Sequence, residues 1–543
     1  MRALIILSLL AIHSLSCCQA QTKKPKLVVG IVIDQMKQEY LYRFQEKYEE
    51  GGFNRIINEG FMSKNAHYNY IPTKTAAGHA SIYTGTTPRY HGIIGNDWYS
   101  KVLKRNTYCV GDTLAVGVGT ESNAGKMSPR NLQVTTITDE LKLTSNFRSK
   151  VIGVSIKDRG SILPAGHTPD GAYWYESNTG NFITSDYYLD ELPQWVSDFN
   201  DKKMVNKYLD QTWNLSYPKD EYVESTKDDT EYERIWKGKE SPTFPYNLEE
   251  IRKKNSPYGL ISQTPFGNSL VLDFARDAIK SNEMGKDKIV DFIAVSLSST
   301  DYIGHGFAPN SIEIEDTYIK LDKDLSKFLT FLDQEIGKGE YILFITADHG
   351  VVANPQFLMD NKLPGGYMSP KELRNGIQNS LSAQLGEGEW ISSISNEQVF
   401  LNQDLIIQSE KNKEDVENMV SEILYSMEGI YEVYTTSELK NISSADHLGI
   451  LLSNGRNKKL SGDVLFTMKP GYLFGDYGSK GTTHGSGHTY DTHIPILFFG
   501  SGIKQGKTSR YISIIDIAPT LSSLLNISLP SACTGQPITE LFE

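Results

Sequence analysis

Five short apolar runs constrain the fold of this chain more than any other feature: "KLVVGIVID" (26–34), "KVIGVSIKD" (150–158), "KIVDFIAVSL" (288–297), "EYILFITAD" (340–348) and "HIPILFFG" (493–500). They are rich in β-branched residues and do not alternate with polar ones, as expected of parallel strands buried on both faces. Helical patterns separate them, among them "TAAGHASIYTG" from Thr75 and "IEIEDTYIKLDKDLSKFLTFLDQEI" from Ile312. Strand and helix in alternation predict an α/β fold, a largely parallel sheet covered by helices on both faces. Two stretches break the rhythm. Residues 166–285 are rich in Tyr, Asp and Lys and read as an insertion, and residues 356–465 mix helix and strand signals and read as a small α+β cap. The expected core is then 21–165, 286–355 and 466–543.

Three of the runs finish at or just before an aspartate: Asp34, Asp301 and Asp348. In open parallel sheets the ligand site lies beyond the carboxyl ends of the strands, so carboxylates from separate strands should meet at one edge. Each alone could be a turn or helix-cap residue. Three together, each near His or Thr, point to a site.

The N-terminal "MRALIILSLLAIHSLSCCQAQ" joins Arg2 to an apolar stretch and a small-residue end at Ala20. It reads as a secretory signal (1–20), too short for a spanning helix, which places the mature protein outside the cytoplasm, periplasmic or secreted. Cys17 and Cys18 leave a lipid tether as the alternative, although Ser14 stands where such signals usually carry Leu. Removal of 1–20 takes away Arg2 and moves the formal net charge from −12 to −13. That balance argues against nucleic acid as a partner, and an anionic substrate would need local positive charge such as bound metal ions. No later segment is long and apolar enough to cross a bilayer. Only Cys109 and Cys533 remain after processing, too few for a disulfide scaffold or a Cys-rich zinc site; their pairing stays open.

In "SSTDYIGHGFAP", Asp301 and His305 stand four apart, so one helical turn can present both to one ion. "GTTHGSGHTYDTHIP" adds His484, His488 and His493, and "DHG" adds Asp348 and His349. With Asp34 there are enough oxygen and nitrogen ligands for two sites, and two divalent ions about 4 Å apart are a known solution for phosphoryl transfer. Thr75 stands where a helix should begin, a position whose backbone favours an anion. It could equally be an N-cap, and on composition Thr73 and Ser81 are also candidate nucleophiles.

The ordered series Asp34, "TKTAAGHASIYTG", "HGIIGN", "STDYIGHG", "TADHG" and "THGSG" resembles the alkaline phosphatase superfamily. "SIYTGTTPRYHGIIGN" is similar to its nucleotide pyrophosphatase/phosphodiesterase branch, and with "IKDRGSILPAGHT" the chain looks most like the PafA-type periplasmic alkaline phosphatases. The resemblance spans nearly the whole mature chain. It implies two zinc ions, one held by Asp301, His305 and His484 and the other by Asp34, Asp348 and His349. Thr75 would be the nucleophile, touching the second zinc and passing through a phosphothreonine. Asn96 would hydrogen-bond a phosphoryl oxygen, and Lys157 and Arg159 would complete an anion clamp. His484 is preferred to His488 and His493 because it lies in the His-Gly pair of the family motif. The sulfatase branch, with its Cys or Ser in a C/S-x-P-x-R context, does not fit "TKTAAGH" (73–79). The implied substrates are small phosphate monoesters. A phosphodiesterase on the same scaffold is the alternative, but a diester carries one charge less and would need fewer cationic contacts than Lys157 and Arg159 supply.

Overall fold

A computed structural model describes residues 24–476 and 478–542. The expected leader, with Cys17 and Cys18, lies outside the described residues. The chain builds an 11-stranded sheet. Its strands are β1 (Leu27–Ile33), β2 (Phe61–His67), β3 (Gly117–Val118), β4 (Val151–Ser155), β5 (Gly171–Glu176), β6 (Asn181–Ser185), β7 (Asp291–Leu297) and β8 (Tyr341–Thr346), followed after the cap by β13 (His493–Gly500), β14 (Gly506–Thr508) and β15 (Ile512–Ser513). The order is β14-β2-β13-β8-β1-β7-β4-β5-β6-β3, with β15 on β2. Strands β8, β1, β7, β4 and β5 run parallel. Every residue of β1, β7 and β8 is buried, which is why their sequences show no polar alternation.

Two expectations need correction. "HIPILFFG" forms β13 but runs antiparallel to both β8 and β2. The preceding loop lies at the carboxyl edge of the sheet, where the N–H of Gly350 donates to Asp491 O, so a strand starting there can only run back. Residues 171–185, read as the start of an insertion, are the sheet strands β5 and β6. Their aromatic residues belong to the core: Tyr173, Trp174 and Tyr175 are all buried. Aromatic side chains suit a pleated, buried surface as well as β-branched ones do.

Helices α1 (Thr75–Thr84), α2 (Pro88–His91), α3 (Asp158–Ala165), α4 (Ser299–Phe307) and α5 (Ile312–Leu332) lie between the core strands. From 368 to 468 a separate four-stranded antiparallel sheet, in the order β9-β10-β12-β11, is made by β9 (Ile391–Ser395), β10 (Gln398–Leu401), β11 (Ile430–Thr435) and β12 (Val464–Met468). Helices α6 (Pro370–Leu385) and α7 (Lys413–Tyr425) cover it, and Leu373, Ile377, Val416, Val420, Val464 and Phe466 form a core of their own. A further helix, α8 (His447–Gly455), lies between this sheet and the main body, its Leu451 and Leu452 clustered with Ile71.

Candidate active site

The parallel strands deliver their polar ends to one edge. Asp34 follows β1 directly, Asp348 lies two residues beyond β8, Lys157 two beyond β4, and Asp301 sits in the first turn of α4, just past β7. All three aspartates are buried. Asp34 accepts from Ser296 Oγ at 3.1 Å and from Lys157 Nζ at 2.9 Å. Asp301 accepts from the same Lys157 Nζ at 2.6 Å and from Gln35 Nε2 at 2.7 Å. Asp348 accepts from the Gln35 N–H at 3.0 Å, while its Oδ2 makes no hydrogen bond.

Histidines close the ring. His305, His484 and His349 each direct Nδ1 at a backbone carbonyl: Thr482 O at 2.8 Å, Thr73 O at 2.8 Å and Gly350 O at 3.0 Å. A carbonyl can only accept, so Nδ1 carries a proton and Nε2 is the ring nitrogen turned toward the other partners, the orientation expected around a metal. Those Nε2 atoms converge on carboxylates: His305 at 3.2 Å and His484 at 3.6 Å from Asp301 Oδ1, His349 at 3.1 Å from Asp348 Oδ2. His349 and His484 stack on one another, so the two sets adjoin.

Two groups of potential ligand atoms result, one from Asp301, His305 and His484, the other from Asp34, His79 and Asp348, each with its atoms within 4.8 Å of one another. His79 was not among the expected residues. Its Nδ1–H donates to Thr75 O at 2.9 Å, one helical turn back, and its buried Nε2 has no hydrogen-bond partner, 3.7 Å from Asp34 Oδ1. The i, i+4 spacing from Thr75 was the available signal. His488 and His493 are elsewhere, bound to Met468 O and Lys64 O.

Electrostatics follow burial. Burial and the neighbouring Asp348 push Asp34 up despite Lys157. Burial also opposes the charge on Asp301, but His305 and Lys157 outweigh it and hold that carboxyl well below its usual range. Burial and His349 hold His484 well below the usual imidazole value, hence neutral. Three buried carboxylates, orphaned Asp348 Oδ2 and His79 Nε2 atoms, and imidazoles fixed in the ligating tautomer fit bound cations. The mix of imidazole and carboxylate suits zinc.

Thr75 opens α1 and is buried, its Oγ1 3.5 Å from His349 Nε2. The rival hydroxyls are engaged: Thr73 Oγ1 donates to Ser486 O, and Ser81 Oγ pairs with His91 Nε2. Asn96 Oδ1 accepts from the Ala76 N–H at 2.9 Å, which fixes its amide beside Thr75. Arg159, on the first turn of α3, donates to Tyr108 Oη at 3.0 Å, and its buried Nε has no partner. The ammonium of Lys157, the other residue expected in the clamp, bridges Asp34 and Asp301. Gly78 brings α1 onto the "DHG" turn; a Cβ there would collide with Asp348 O.

The family model for type I phosphodiesterase / nucleotide pyrophosphatase matches residues 28–491. The chain belongs to this family. Within it the chain groups with the PafA-like alkaline phosphatases of the alkaline phosphatase superfamily. It is 46% identical to alkaline phosphatase PafA of Elizabethkingia meningoseptica, over 95% of this chain and 94% of that protein. It is also 46% identical to alkaline phosphatase PhoV of Synechococcus elongatus, over 96% and 93%. A Myroides odoratus protein named calcium-transporting ATPase is 47% identical over 96% and 95%. The crystal structure of wild-type PafA superposes with a TM-score of 0.92, covering 96% of this chain and 99% of that one. A solved PafA variant replaces a threonine, an asparagine, a lysine and an arginine, in that order along its chain.

Proposed function

We propose that this PafA-like phosphomonoesterase works with two zinc ions and a phosphothreonine on Thr75. The carrying observation is the position of Thr75: at the start of α1, beside His349, where the two ligand groups adjoin. Asp301, His305 and His484 would hold one ion, and Asp34, Asp348 and His349 the other, with His79 beside Asp34 and Asp348. When bound, the metals supply Lewis-acid charge that makes a hydroxyl nucleophilic near neutral pH and stabilises a leaving oxygen.

The chain's own residues do the rest. Thr75 Oγ gives up its proton to solvent and attacks phosphorus in line, forming the Oγ–P bond as the P–O bond to the leaving alcohol breaks. The released alkoxide takes a proton from water. Water then attacks phosphorus, the Oγ–P bond breaks, inorganic phosphate leaves and a proton returns to the hydroxyl of Thr75. The α1 N-terminus and the amide of Asn96 would bear on phosphoryl oxygens, and Arg159 would grip two of them with its fork. The order Thr, Asn, Lys, Arg substituted in the PafA variant matches Thr75, Asn96, Lys157 and Arg159 here, which supports treating the four as one working set. Phosphoryl transfer asks mainly for positioning and charge stabilisation.

Parallel rates on an aryl phosphate monoester and its diester analogue, with zinc added, test the reading. The monoester should be turned over far faster, and preference for the diester would overturn it. Among the described residues no helix is long and apolar enough to cross a membrane. Export rests on residues 1–20, and N-terminal sequencing of the mature protein should begin at Gln21. On the same footing, the 356–465 segment would cap the site. Its β9–β10 turn reaches the core where Asn396 Nδ2 donates to Asp97 O at 2.6 Å, and Glu397 lines a cavity shared with His484 and Asp491.

A further inference from the structure

A cavity of about 750 Å³ opens at the seam between the core and the four-stranded sheet, lined by none of the residues assigned to the active site. Its size falls within the roughly 300–1,000 Å³ of small-molecule sites. Arg89 and Lys101 enter it from the core, and Lys413, Lys440, Arg456 and Lys458 from the opposite side. The chain as a whole carries a formal net charge of −12, yet six cations line this one cavity.

Local acids do not neutralise them. Asp463 is the single carboxylate in the lining. It is already held by Lys101 at 3.0 Å and Lys413 at 2.9 Å, and it accepts from the Leu401 N–H at 3.0 Å. Glu417, behind it, pairs with Lys413 at 3.2 Å. Among the described residues Arg89, Lys440, Arg456 and Lys458 have no carboxylate within ion-pair distance. Arg89 spends one donor on Ser453 Oγ at 3.0 Å, and the buried Nε of Arg456 has no partner at all. Burial pulls the Arg456 guanidinium down, and the nearby charge of Arg89 adds to that effect against the pull of Glu417. Like charges gathered around a concave, partly desolvated space are stabilised by an anion that spans them. Ile442 and Ile450 add an apolar wall.

We propose that this cavity is a second anion site that takes a compact, multiply phosphorylated small molecule, its phosphates on Arg89, Lys440, Arg456 and Lys458 and its carbon skeleton against Ile442 and Ile450. The proposal does not rest on the catalytic reading. The probe is myo-inositol hexasulfate, a compact polyanion with no phosphate ester to hydrolyse, titrated calorimetrically into the metal-replete protein with the active site saturated by inorganic phosphate. One probe should bind per chain, more weakly as salt screens the charges. The double variant Lys440→Glu/Lys458→Glu should bind about tenfold more weakly or worse, while its turnover of a small aryl phosphate stays at the wild-type level. Absence of binding, or an affinity unchanged in the variant, would overturn the proposal. So would binding to anionic phosphatidylglycerol vesicles without binding of the hexasulfate, since the basic patch would then be a lipid-facing surface.

Discussion

At the scale of single residues, three hydroxyl side chains in and just before α1 have different fates. Thr73 and Ser81 are tied to Ser486 O and His91, whereas Thr75 faces His349 alone. Thr75→Ala should therefore reduce turnover by orders of magnitude, and Thr75→Ser should keep substantial activity because the hydroxyl survives. Acid quench followed by mass spectrometry should place phosphate on Thr75, and label on Thr73 or Ser81 would refute the assignment. Lys157 and Arg159 make the second test. A monoester offers more negative charge and more free oxygens than a diester, so it should gain more from a fork and an ammonium in a water-poor site. Replacing both by Ala should cost the monoester roughly 2–4 kcal/mol more than the diester in kcat/KM. Equal losses on both substrates, at unchanged metal content, would show that these residues do not discriminate.

At the scale of elements, the site depends on how closely α1 lies on the end of β8. Gly78 is what permits it, because any side chain there meets the backbone of Asp348, which cannot move aside as a flexible side chain would. Gly78→Ala should push α1 from the "DHG" turn, and overpacking of this kind typically costs about 1–3 kcal/mol. The melting temperature should fall, and kcat should fall further than stability alone explains, since Thr75 and His349 separate together. A variant with normal melting and normal kcat would mean that the contact does not set the site. The antiparallel β13 belongs to the same scale: its entry loop carries His484 to Asp301, while His493, at the strand's first position, is already turned toward Lys64 O.

For the whole molecule, metal and fold should be linked. Three buried carboxylates and two orphaned polar atoms at the sheet edge are a cost in the metal-free chain, and a cation bound only by the folded state offsets it. Exhaustive chelation should abolish activity and lower the melting temperature, and zinc should restore both better than magnesium because imidazoles share the ligand set. Full activity after metal removal, checked by elemental analysis, would end the metal-dependent reading.

The sequence alone determined the parallel core and most of the polar residues beyond the ends of its strands. Buried strands need unbroken apolar runs, and polar residues at their ends stand out against them, so Asp34, Asp301, Asp348 and His349 could be read directly. The pairing of His305 with Asp301 followed from helical spacing. Tertiary structure alone decided that His79 belongs beside Asp34 and Asp348, and that Lys157 bridges two carboxylates. It also decided the direction of β13 and the place of β5 and β6 in the sheet. The physical reason is common to all of these. Burial and periodicity are local properties that a sequence carries in order, whereas the atom a side chain meets across the sheet edge depends on strand direction and loop path, which contacts far apart in the chain fix together.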